Sequence, residues 1–284
     1  MPELPEVETI RRGLESAVIN KQIVDLQVTK PKLLRNQRAY FLNTLKNNSI
    51  SSINRIGKLL IFVLADEQNY LLVHLKMTGQ LIYTKGNQMV AGGHKQAIEG
   101  ELPNKYSHII FHFADDSKLF FNDMRQFGYM ELVEDVELII KKYGIEPGTK
   151  NFTWVNFQKI FVNRKITIKS LLLNQQIVSG IGNIYADEIC YRAKVRPDRK
   201  VNTLTVVEKK KIFTATKYII EKAVEKRGTT FSDYRDTSGQ PGNFVKFLKV
   251  YGRDGQKCMG CRQENIKKVK LGGRGTHFCS RCQK

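Results

Sequence analysis

The 284-residue chain has few acidic residues and no long apolar segment. Asp and Glu total 27 against 47 Lys and Arg, which gives a formal net charge of +20 at pH 7. The longest apolar run, Leu59–Ala65, is far too short to cross a bilayer, which takes about 20 residues. Residues 1–8 carry neither a basic segment nor an apolar core, so they do not form an export signal. We therefore expect a cytoplasmic protein.

The excess of basic residues indicates a polyanionic partner. A membrane surface is disfavoured, because the sequence contains no basic amphipathic helix beside an aromatic face and no lipidation motif. Charge alone does not separate DNA from RNA. With 41% hydrophobic residues, including 15 Phe, the chain can build substantial cores, and its length predicts about two domains.

Short strand-like segments fill the first half of the chain. The segments with this pattern are Ile23–Thr29, Ile50–Arg55, Leu59–Leu64, Tyr70–His74, Gln80–Tyr83, His108–Phe113, Lys118–Asn122 and Tyr129–Val133. Turn residues separate them, which predicts an antiparallel β-sandwich. The stretch Gly86–Lys105 is polar and without a period, and we predict a long mobile loop there.

Helices are predicted in the second half, after a connection at residues 136–150. The helical segments are Phe152–Phe161, Ile168–Gln176, Ile184–Ala193 and Thr205–Lys226. Thr205 and Glu208 have the spacing of a capping box at the start of the last helix. The fold class is therefore predicted to be α+β.

Four of the five cysteines have the spacing of a zinc site. They form two CxxC pairs separated by seventeen residues: Cys258, Cys261, Cys279 and Cys282. Between the pairs, Ile266–Leu271 and Thr276–Phe278 flank a glycine-rich turn that holds Arg274, which predicts a β-hairpin held by one structural Zn²⁺. Two disulfides are the alternative, and a reducing compartment disfavours them. Cys190 lies in a predicted helix and is interpreted as a packing residue.

The N-terminal segment places Pro2 next to Glu3. If the initiator Met is removed, Pro2 becomes a secondary amine with an unperturbed pKa of about 7.7–8.0. Such an amine is partly an uncharged nucleophile near neutral pH, and its attack on a sugar carbon gives an iminium ion. Glu3 can act as the acid/base partner. A plain helix start is the alternative, since apolar residues recur at helical spacing from Leu4 to Val18. Both interpretations can hold together.

Five segments carry a family resemblance. They are Pro2–Glu8, His74–Gly79, Asp123–Gly128, Gly180–Glu188 and the four-cysteine hairpin. The sequences of these five segments, and the order in which they occur, resemble those of the bacterial formamidopyrimidine-DNA glycosylase/endonuclease VIII family. The resemblance implies a catalytic β-sandwich domain (1–135), a linker (136–150), a helix–two-turns–helix DNA-binding domain (151–245) and a zinc finger (246–284).

The resemblance also implies a reaction. Pro2 would attack C1′ of the damaged nucleotide, with Glu3 handling protons, and β,δ-elimination would then nick the strand. Lys58 resembles an active-site lysine linked to β-elimination. Arg274 resembles an arginine linked to δ-elimination and to a phosphate, and the phosphate role suits a guanidinium better. The expected substrates are oxidised purines in duplex DNA, namely 8-oxoguanine opposite cytosine and formamidopyrimidines.

DNA contacts follow from the same resemblance. Base extrusion costs a few kcal/mol. Met77 is expected to fill the space that the flipped base leaves, Arg125 to hydrogen-bond the orphaned partner base, and Phe127 to wedge beside it. Taken alone, Met77 and Phe127 would be ordinary core residues. The remaining expected contacts, beside Lys58 and Arg274, are His74, Tyr106, Arg164 and Asn183. The Gly228–Tyr234 segment resembles a lesion-capping loop.

Some residues depart from the family pattern. Gln126 replaces a frequent arginine, and Tyr106-Ser107 replace a His-Asp pair, which weakens the expected role of Tyr106. Two alternatives stay open. One is an oxidised-pyrimidine glycosylase of the endonuclease VIII type, and the other is a non-catalytic protein, either a binder of damaged DNA or a zinc-ribbon RNA-binding protein. The protein is expected to be a monomer that associates with the bacterial nucleoid when it binds DNA.

Overall fold

A computed structural model describes residues 1–94, 101–229, 234–235 and 243–284 of the chain. The residues divide into two compact units. The first comprises residues 1–140 and 226–245, and the second comprises residues 141–225 and 246–284.

The first unit is built from two antiparallel sheets. Its described strands are β1 (Ile23–Val28), β2 (Ile50–Ile56), β3 (Leu59–Leu64), β4 (Tyr70–His74), β5 (Gly79–Lys85), β6 (Gln88–His94), β7 (Ser107–Phe113), β8 (Lys118–Asp123), β9 (Tyr129–Val133) and β10 (Tyr234–Arg235). Six strands form a sheet in the order β1-β7-β8-β5-β6-β10, and four form a sheet in the order β2-β3-β4-β9. The predicted sandwich is confirmed.

The core of the first unit lies between the two sheets. Leu81 and Tyr83 of β5 pack into the same buried cluster as Leu60 and Phe62 of β3. Ile82, which lies between Leu81 and Tyr83, points to the other face of its sheet and joins a separate small cluster. This alternation is the period of two that a strand imposes on its side chains.

Helix α1 (Leu4–Val18) covers part of this core. Its apolar side chains Val7, Ile10, Leu14 and Val18 are buried, so the helical spacing seen in the sequence faces the sheets. Two further helices lie in the described part of this unit, α2 (Arg38–Leu45) and α3 (Glu137–Ile140), with a 3₁₀ turn at Pro31–Leu33. The sequence analysis did not predict α2.

The prediction of a loop across Gly86–Lys105 is wrong for its first half. Strand β6 pairs with β5 through Tyr83 opposite Val90 and Thr84 opposite Met89. The glycines and polar residues there weaken the strand pattern, but the free edge of β5 supplies the backbone hydrogen bonds that fix the conformation. Residues 95–100 lie outside the described residues.

Helices and a hairpin make up the second unit. The described helices are α4 (Trp154–Lys159), α5 (Ile168–Leu173), α6 (Asn183–Ala193) and α7 (Val206–Glu225), with 3₁₀ turns at Val201–Thr203 and Phe244–Phe247, the latter at the junction of the two units. The hairpin consists of β11 (Lys267–Leu271) and β12 (Arg274–Phe278). The α+β fold class is confirmed.

Local signals explain where the helices of the second unit begin and end. Thr153 and Thr167 cap α4 and α5 by accepting hydrogen bonds from backbone N–H groups. The capping box of α7 is present, because the Thr205 N–H donates to Glu208 (2.8 Å) and the Glu208 N–H donates to the Thr205 hydroxyl (3.2 Å). Helix α4 is shorter than predicted, although the flanking Phe152 is still buried. Among the described residues, no helix is long and apolar enough to cross a membrane.

Candidate active site and zinc site

The start of α1 fixes the N-terminal residues. Pro2 is buried and Glu3 is only 3% exposed. The backbone N–H of Glu3 donates to the carboxylate of Glu6 (2.9 Å). The same carboxylate accepts hydrogen bonds from the backbone N–H (2.7 Å) and hydroxyl (3.0 Å) of Thr229. One buried carboxylate therefore holds both the helix start and the segment that leads into residues 230–233.

Charged groups of both signs surround the N-terminal amine. Here the first amine belongs to Met1, and the Pro2 nitrogen is in a peptide bond. Burial lowers the pKa of the Met1 amine, and the positive charges of Lys58 and Arg125 add to this effect, whereas Glu3 and Glu6 oppose it. The structure thus places Glu3, Lys58 and Arg125 close enough to the N-terminus to influence its protonation. Such an environment favours an uncharged amine near neutral pH.

A chain of hydrogen bonds supports the hairpin that carries Lys58. Arg55 donates to the carboxylate of Glu8 in α1 (3.1 Å) and to the backbone carbonyl of Gly57 (2.9 Å). Burial alone would raise the pKa of Glu8, but hydrogen bonds from its arginine neighbours, together with the charge of Arg55, lower that pKa to about 2. The carboxylate is therefore charged and ties α1 to the β2–β3 turn. Lys58 follows Gly57 and is 5% exposed.

His74 is held in one neutral form. Its Nδ1 accepts the backbone N–H of Lys76 (3.0 Å), so Nε2 carries the proton and can donate to an anion. Burial and the charges of Lys76, Lys58 and Arg35 lower the pKa of His74 to about 3. The ring lies 5.5 Å from that of Tyr129, centroid to centroid. His74 is thus a neutral hydrogen-bond donor.

Three side chains expected to replace an extruded base are all exposed. Met77 is 38% and Phe127 is 53% exposed, so neither is an ordinary core residue. The Arg125 guanidinium lies over the Phe127 ring, 4.7 Å from its centroid, which is a cation–π distance. Met77 lies just before β5, and Arg125 and Phe127 lie just after β8. These two strands are neighbours in the sheet. Tyr106 is half-buried nearby, and its carbonyl accepts the Asp123 N–H (3.0 Å).

The second unit carries the other predicted contact residues. Arg164 is exposed after α4, and its Nε donates to the Ile160 carbonyl (3.0 Å). Asn183 is the first residue of α6, and Gly182 occupies the N-cap position. The Asn183 side chain donates instead to the Gly275 carbonyl (3.0 Å). Asn183 is therefore bound to the hairpin and does not cap its own helix.

Arg274 is exposed beside the hairpin tip. Gly272 and Gly273 both have positive φ (55° and 77°), which a two-residue turn of this kind requires. Arg274 is the first residue of β12 and pairs with Leu271, so it lies one position beyond the turn itself. Because the two glycines have no side chains, the Arg274 guanidinium is exposed to solvent.

A buried ion pair fixes the base of this hairpin. The Lys169 ammonium is 1% exposed and donates to Asp187 (2.6 Å), to the Gly275 carbonyl (3.0 Å) and to the Thr276 hydroxyl (2.8 Å). Asp187 also accepts the backbone N–H of His277 (2.8 Å). All three donor positions of the ammonium are satisfied, and the pair connects α5 and α6 to the strand that carries Arg274.

The four paired cysteines converge on one point. Their sulfur atoms lie within 4.8 Å of one another: Cys258, Cys261, Cys279 and Cys282. Two of the separations are 3.8 Å and 3.7 Å, and a tetrahedral zinc with bonds near 2.3 Å sets its sulfurs about 3.8 Å apart. These distances are far too long for disulfide bonds. The cysteines therefore fit one structural Zn²⁺, and the disulfide alternative is wrong.

The surroundings of one ligand favour the thiolate form. Burial opposes ionisation of Cys258, but the Tyr191 hydroxyl and the backbone N–H groups of Cys261 and Gly260 lower its pKa to about 6. Thiolate is the form that zinc binds. Cys190 is fully buried in α6, and burial raises the pKa of its thiol, as expected of a packing residue.

Comparison with known proteins matches nearly the whole chain to one family. Residues 1–130 match the formamidopyrimidine-DNA glycosylase N-terminal domain, residues 143–235 its H2TH domain, and residues 255–284 a zinc finger found in FPG and IleRS. The formamidopyrimidine-DNA glycosylases of Streptococcus pneumoniae and Listeria monocytogenes are each 41% identical over 100% of this chain and at least 99% of their own length. The chain belongs to the formamidopyrimidine-DNA glycosylase family. It is a bifunctional DNA glycosylase/AP lyase.

Solved structures of this glycosylase family agree with the fold. The wild-type Lactococcus lactis Fpg in complex with DNA that contains an oxidised pyrimidine has a TM-score of 0.87 and 33% identity, with both chains fully covered. A variant of that enzyme in complex with DNA that contains Fapy-dG has a TM-score of 0.88 and 32% identity, again over both full chains.

Sequence reasoning missed the residues that hold the candidate site residues in place. Glu6, Thr78, Asp123 and Lys169 are buried and make their decisive contacts with residues far along the chain. Glu6, Thr78 and Asp123 lie within the family segments named above, but no role was inferred for any of them. A charged residue within an otherwise apolar segment was the signal available for Lys169.

We expect loss of one zinc ligand to release the metal and unfold the hairpin. Cys258→Ser should lower the zinc content from about one ion per chain to near zero, because structural zinc sites depend on a complete ligand set. Zinc content is measured by atomic absorption, and hairpin unfolding by circular dichroism. The control is Cys190→Ala, a buried cysteine outside the cluster, which should retain the ion. Full zinc content in Cys258→Ser would contradict the assigned ligand set.

We expect His74 to stay neutral across the physiological range in the free protein. Its pKa of about 3 lies below this range, so the ring-proton chemical shifts should be flat from about pH 8 down to about pH 5. The measurement is an NMR titration, with the resonance assigned by its loss in His74→Gln. An inflection near pH 6.5 would show that the ring ionises and would overturn the neutral-donor assignment.

Proposed function

We propose that this enzyme excises oxidised purines from duplex DNA, with Pro2 as the nucleophile once Met1 has been removed. The supporting observation is the position of the N-terminal amine, which is partly buried and lies within electrostatic reach of Glu3 and Lys58. The family membership supports the reaction class, and the L. lactis complex with Fapy-dG DNA supports the lesion class.

The reaction begins at the sugar of the damaged nucleotide. The Pro2 nitrogen attacks C1′ and loses its proton, the glycosidic bond between C1′ and the base breaks, and the base leaves with a proton. Glu3 donates the proton that opens the sugar ring, and the nitrogen lone pair then forms the iminium ion. This cation acts as the electron sink for the next two steps. In β-elimination a proton leaves C2′ and the C3′–O bond breaks. In δ-elimination a proton then leaves C4′ and the C5′–O bond breaks.

Lys58 and Arg274 assist these steps in different ways. Lys58 is buried near the amine, so its ammonium can transfer protons at the sugar during β-elimination. A guanidinium does not give up a proton in proteins, so Arg274 acts by binding a phosphate of the nicked strand. Its exposure at the hairpin tip supports this role.

DNA binding combines charged and neutral donors. Arg164 and Arg274 contact phosphates as cations, and His74 donates through its neutral Nε2. Asn183 has one amide hydrogen left for a phosphate after its bond to Gly275. Met77, Arg125 and Phe127 enter the duplex when the damaged base leaves the stack. Tyr106, half-buried at the same end of β8, is an additional contact. The lesion-capping segment lies mostly outside the described residues.

The enzyme acts as a monomer in the bacterial cytoplasm, on nucleoid DNA. The absence of a membrane-spanning helix among the described residues is compatible with this location. The domain limits given by the sequence also remain our proposal. Oxidised pyrimidines are a second candidate substrate class, since a structural relative was solved with such DNA.

We expect borohydride to trap the enzyme on a duplex that contains 8-oxoguanine opposite cytosine. Reduction of the iminium should give a covalent adduct with the Met1-processed protein, and peptide mass spectrometry should place the adduct on residue 2. The matched control retains Met1, whose presence converts the Pro2 nitrogen to an amide. A second duplex with an oxidised pyrimidine measures the lesion preference.

Two results would contradict this proposal. An adduct on a lysine peptide would move the nucleophile away from Pro2. Tight binding of the lesion duplex by the processed protein, with no adduct on either duplex, would leave a damage-binding protein without enzymatic activity.

We expect the salt dependence of DNA affinity to separate the two kinds of phosphate contact. Each neutralised phosphate adds about 0.9 to the magnitude of the slope of log affinity against log salt. Arg164→Ala should therefore reduce the slope magnitude by about 0.9, and His74→Ala should weaken binding with the slope unchanged. Fluorescence anisotropy over a salt series measures both. An unchanged slope in Arg164→Ala would remove this residue from the interface.

A further inference from the structure

We propose that Thr78 and Asp123 are positioning residues for base extrusion. They form one buried hydrogen-bonded unit that fixes Met77, Arg125 and Phe127 relative to one another. This inference rests on the proposed role of these three side chains in filling the extruded base's place. Neither positioning residue is exposed to substrate, and the unit acts only through the residues that it holds.

Asp123 organises the turn that follows β8. Its side chain is fully buried. One carboxylate oxygen accepts the backbone N–H of Phe127 (2.9 Å) and of Gly128 (2.7 Å), and the other accepts the N–H of Arg125 (3.1 Å). Three main-chain donors of a five-residue turn therefore converge on one side chain. The carboxylate determines where the Arg125 and Phe127 side chains leave the backbone.

Thr78 joins this turn to the segment that carries Met77. Its hydroxyl donates to the Asp123 carboxylate and accepts the backbone N–H of Arg125 (3.0 Å). Thr78 is 7% exposed, in contrast to the preceding Met77. The neighbouring backbones are also paired, because Gly79 lies opposite Asp123 in the β5–β8 ladder. One hydroxyl thus couples the two elements that carry the exposed apolar side chains.

The backbone around the unit leaves little freedom for adjustment. A Cβ on Gly79 would lie 2.5 Å from the Leu75 carbonyl oxygen, and a Cβ on Gly128 would lie 2.7 Å from the Phe121 ring and 3.1 Å from the Asp123 carboxylate. Gln126 has a positive φ of 55°. Gly79 thus packs closely against main chain and Gly128 mainly against side chains, and this close packing limits the conformations open to the turn.

A fixed turn has a kinetic consequence for the glycosylase reaction. Three side chains that leave a fixed backbone at set positions offset the unstacking free energy at a smaller ordering cost. If the turn loosens, the inserted side chains no longer compensate for the unstacking free energy of a lesion that is still paired and stacked. An abasic site has no base to unstack, so its cleavage depends much less on the inserted residues. A defect in the unit should therefore separate base excision from abasic-site cleavage.

The experiment uses Thr78→Val in the full-length, Met1-processed enzyme. Valine keeps the shape and removes the hydroxyl, so the Asp123 carboxylate loses a donor. We expect kcat for 8-oxoguanine excision to fall by about tenfold to one-hundredfold, and kcat for abasic-site cleavage to change by less than about threefold. Thr78→Ser, which restores the hydroxyl, should recover most of the excision rate. Thr216→Val is the matched control, because Thr216 is a fully buried threonine in α7.

A spectroscopic readout follows extrusion directly. A 2-aminopurine placed next to the lesion brightens when it unstacks, and this rise should be slower in Thr78→Val than in Thr78→Ser. Equal loss of both activities in Thr78→Val, or no loss of either, would overturn the positioning role. If the wild-type enzyme cleaved neither the 8-oxoguanine duplex nor the abasic-site duplex, the proposed function itself would be overturned.

Discussion

A buried carboxylate that accepts main-chain N–H groups is the interaction on which each part of the site depends. Glu6 holds the helix start and Thr229, Asp123 holds the turn before β9, and Asp187 holds the strand after Arg274. Glu188 accepts four such bonds from residues 249–251, the chain that leads into the zinc hairpin. A carboxylate fixes several donors at once, and bonds to a charged acceptor are stronger than those between neutral groups. Buried carboxylates thus position loops that have no repeating pattern of apolar residues to direct their packing.

Electrostatics in the first unit follow from the same arrangement. Burial, together with the charges of Lys76, Lys58 and Arg35, lowers the pKa of His74, and the result is a neutral imidazole. Burial of the N-terminal amine beside Lys58 and Arg125 lowers its pKa as well. An excess of positive charge at a partly buried site thus serves two purposes. It attracts the DNA backbone, and together with burial it disfavours the charged forms of the nearby amine and imidazole.

Local signals made much of this molecule predictable from its sequence. The strands β1–β5 and β7–β9 have the period of two or the apolar runs that predict them, and CxxC spacing predicted the zinc site because ligand spacing is set by the metal. Strand β6 was missed since its conformation comes from the neighbouring strand. Thr78 and Asp123 are 45 residues apart, and Lys169 and Thr276 are 107 apart. No period or motif encodes a partner at such a distance, so these contacts required the structure.

The edge of the six-stranded sheet has a consequence for biosynthesis. Strand β6 ends at His94, but its outer neighbour β10 consists of Tyr234 and Arg235, about 140 residues later in the chain. In a nascent chain, Gly93 and His94 of β6 therefore lack their β10 partners until all of α7 has left the ribosome. Unpaired edges of this kind are where chains associate wrongly. Translation speed through residues 95–235 sets how long the growing protein is open to aggregation.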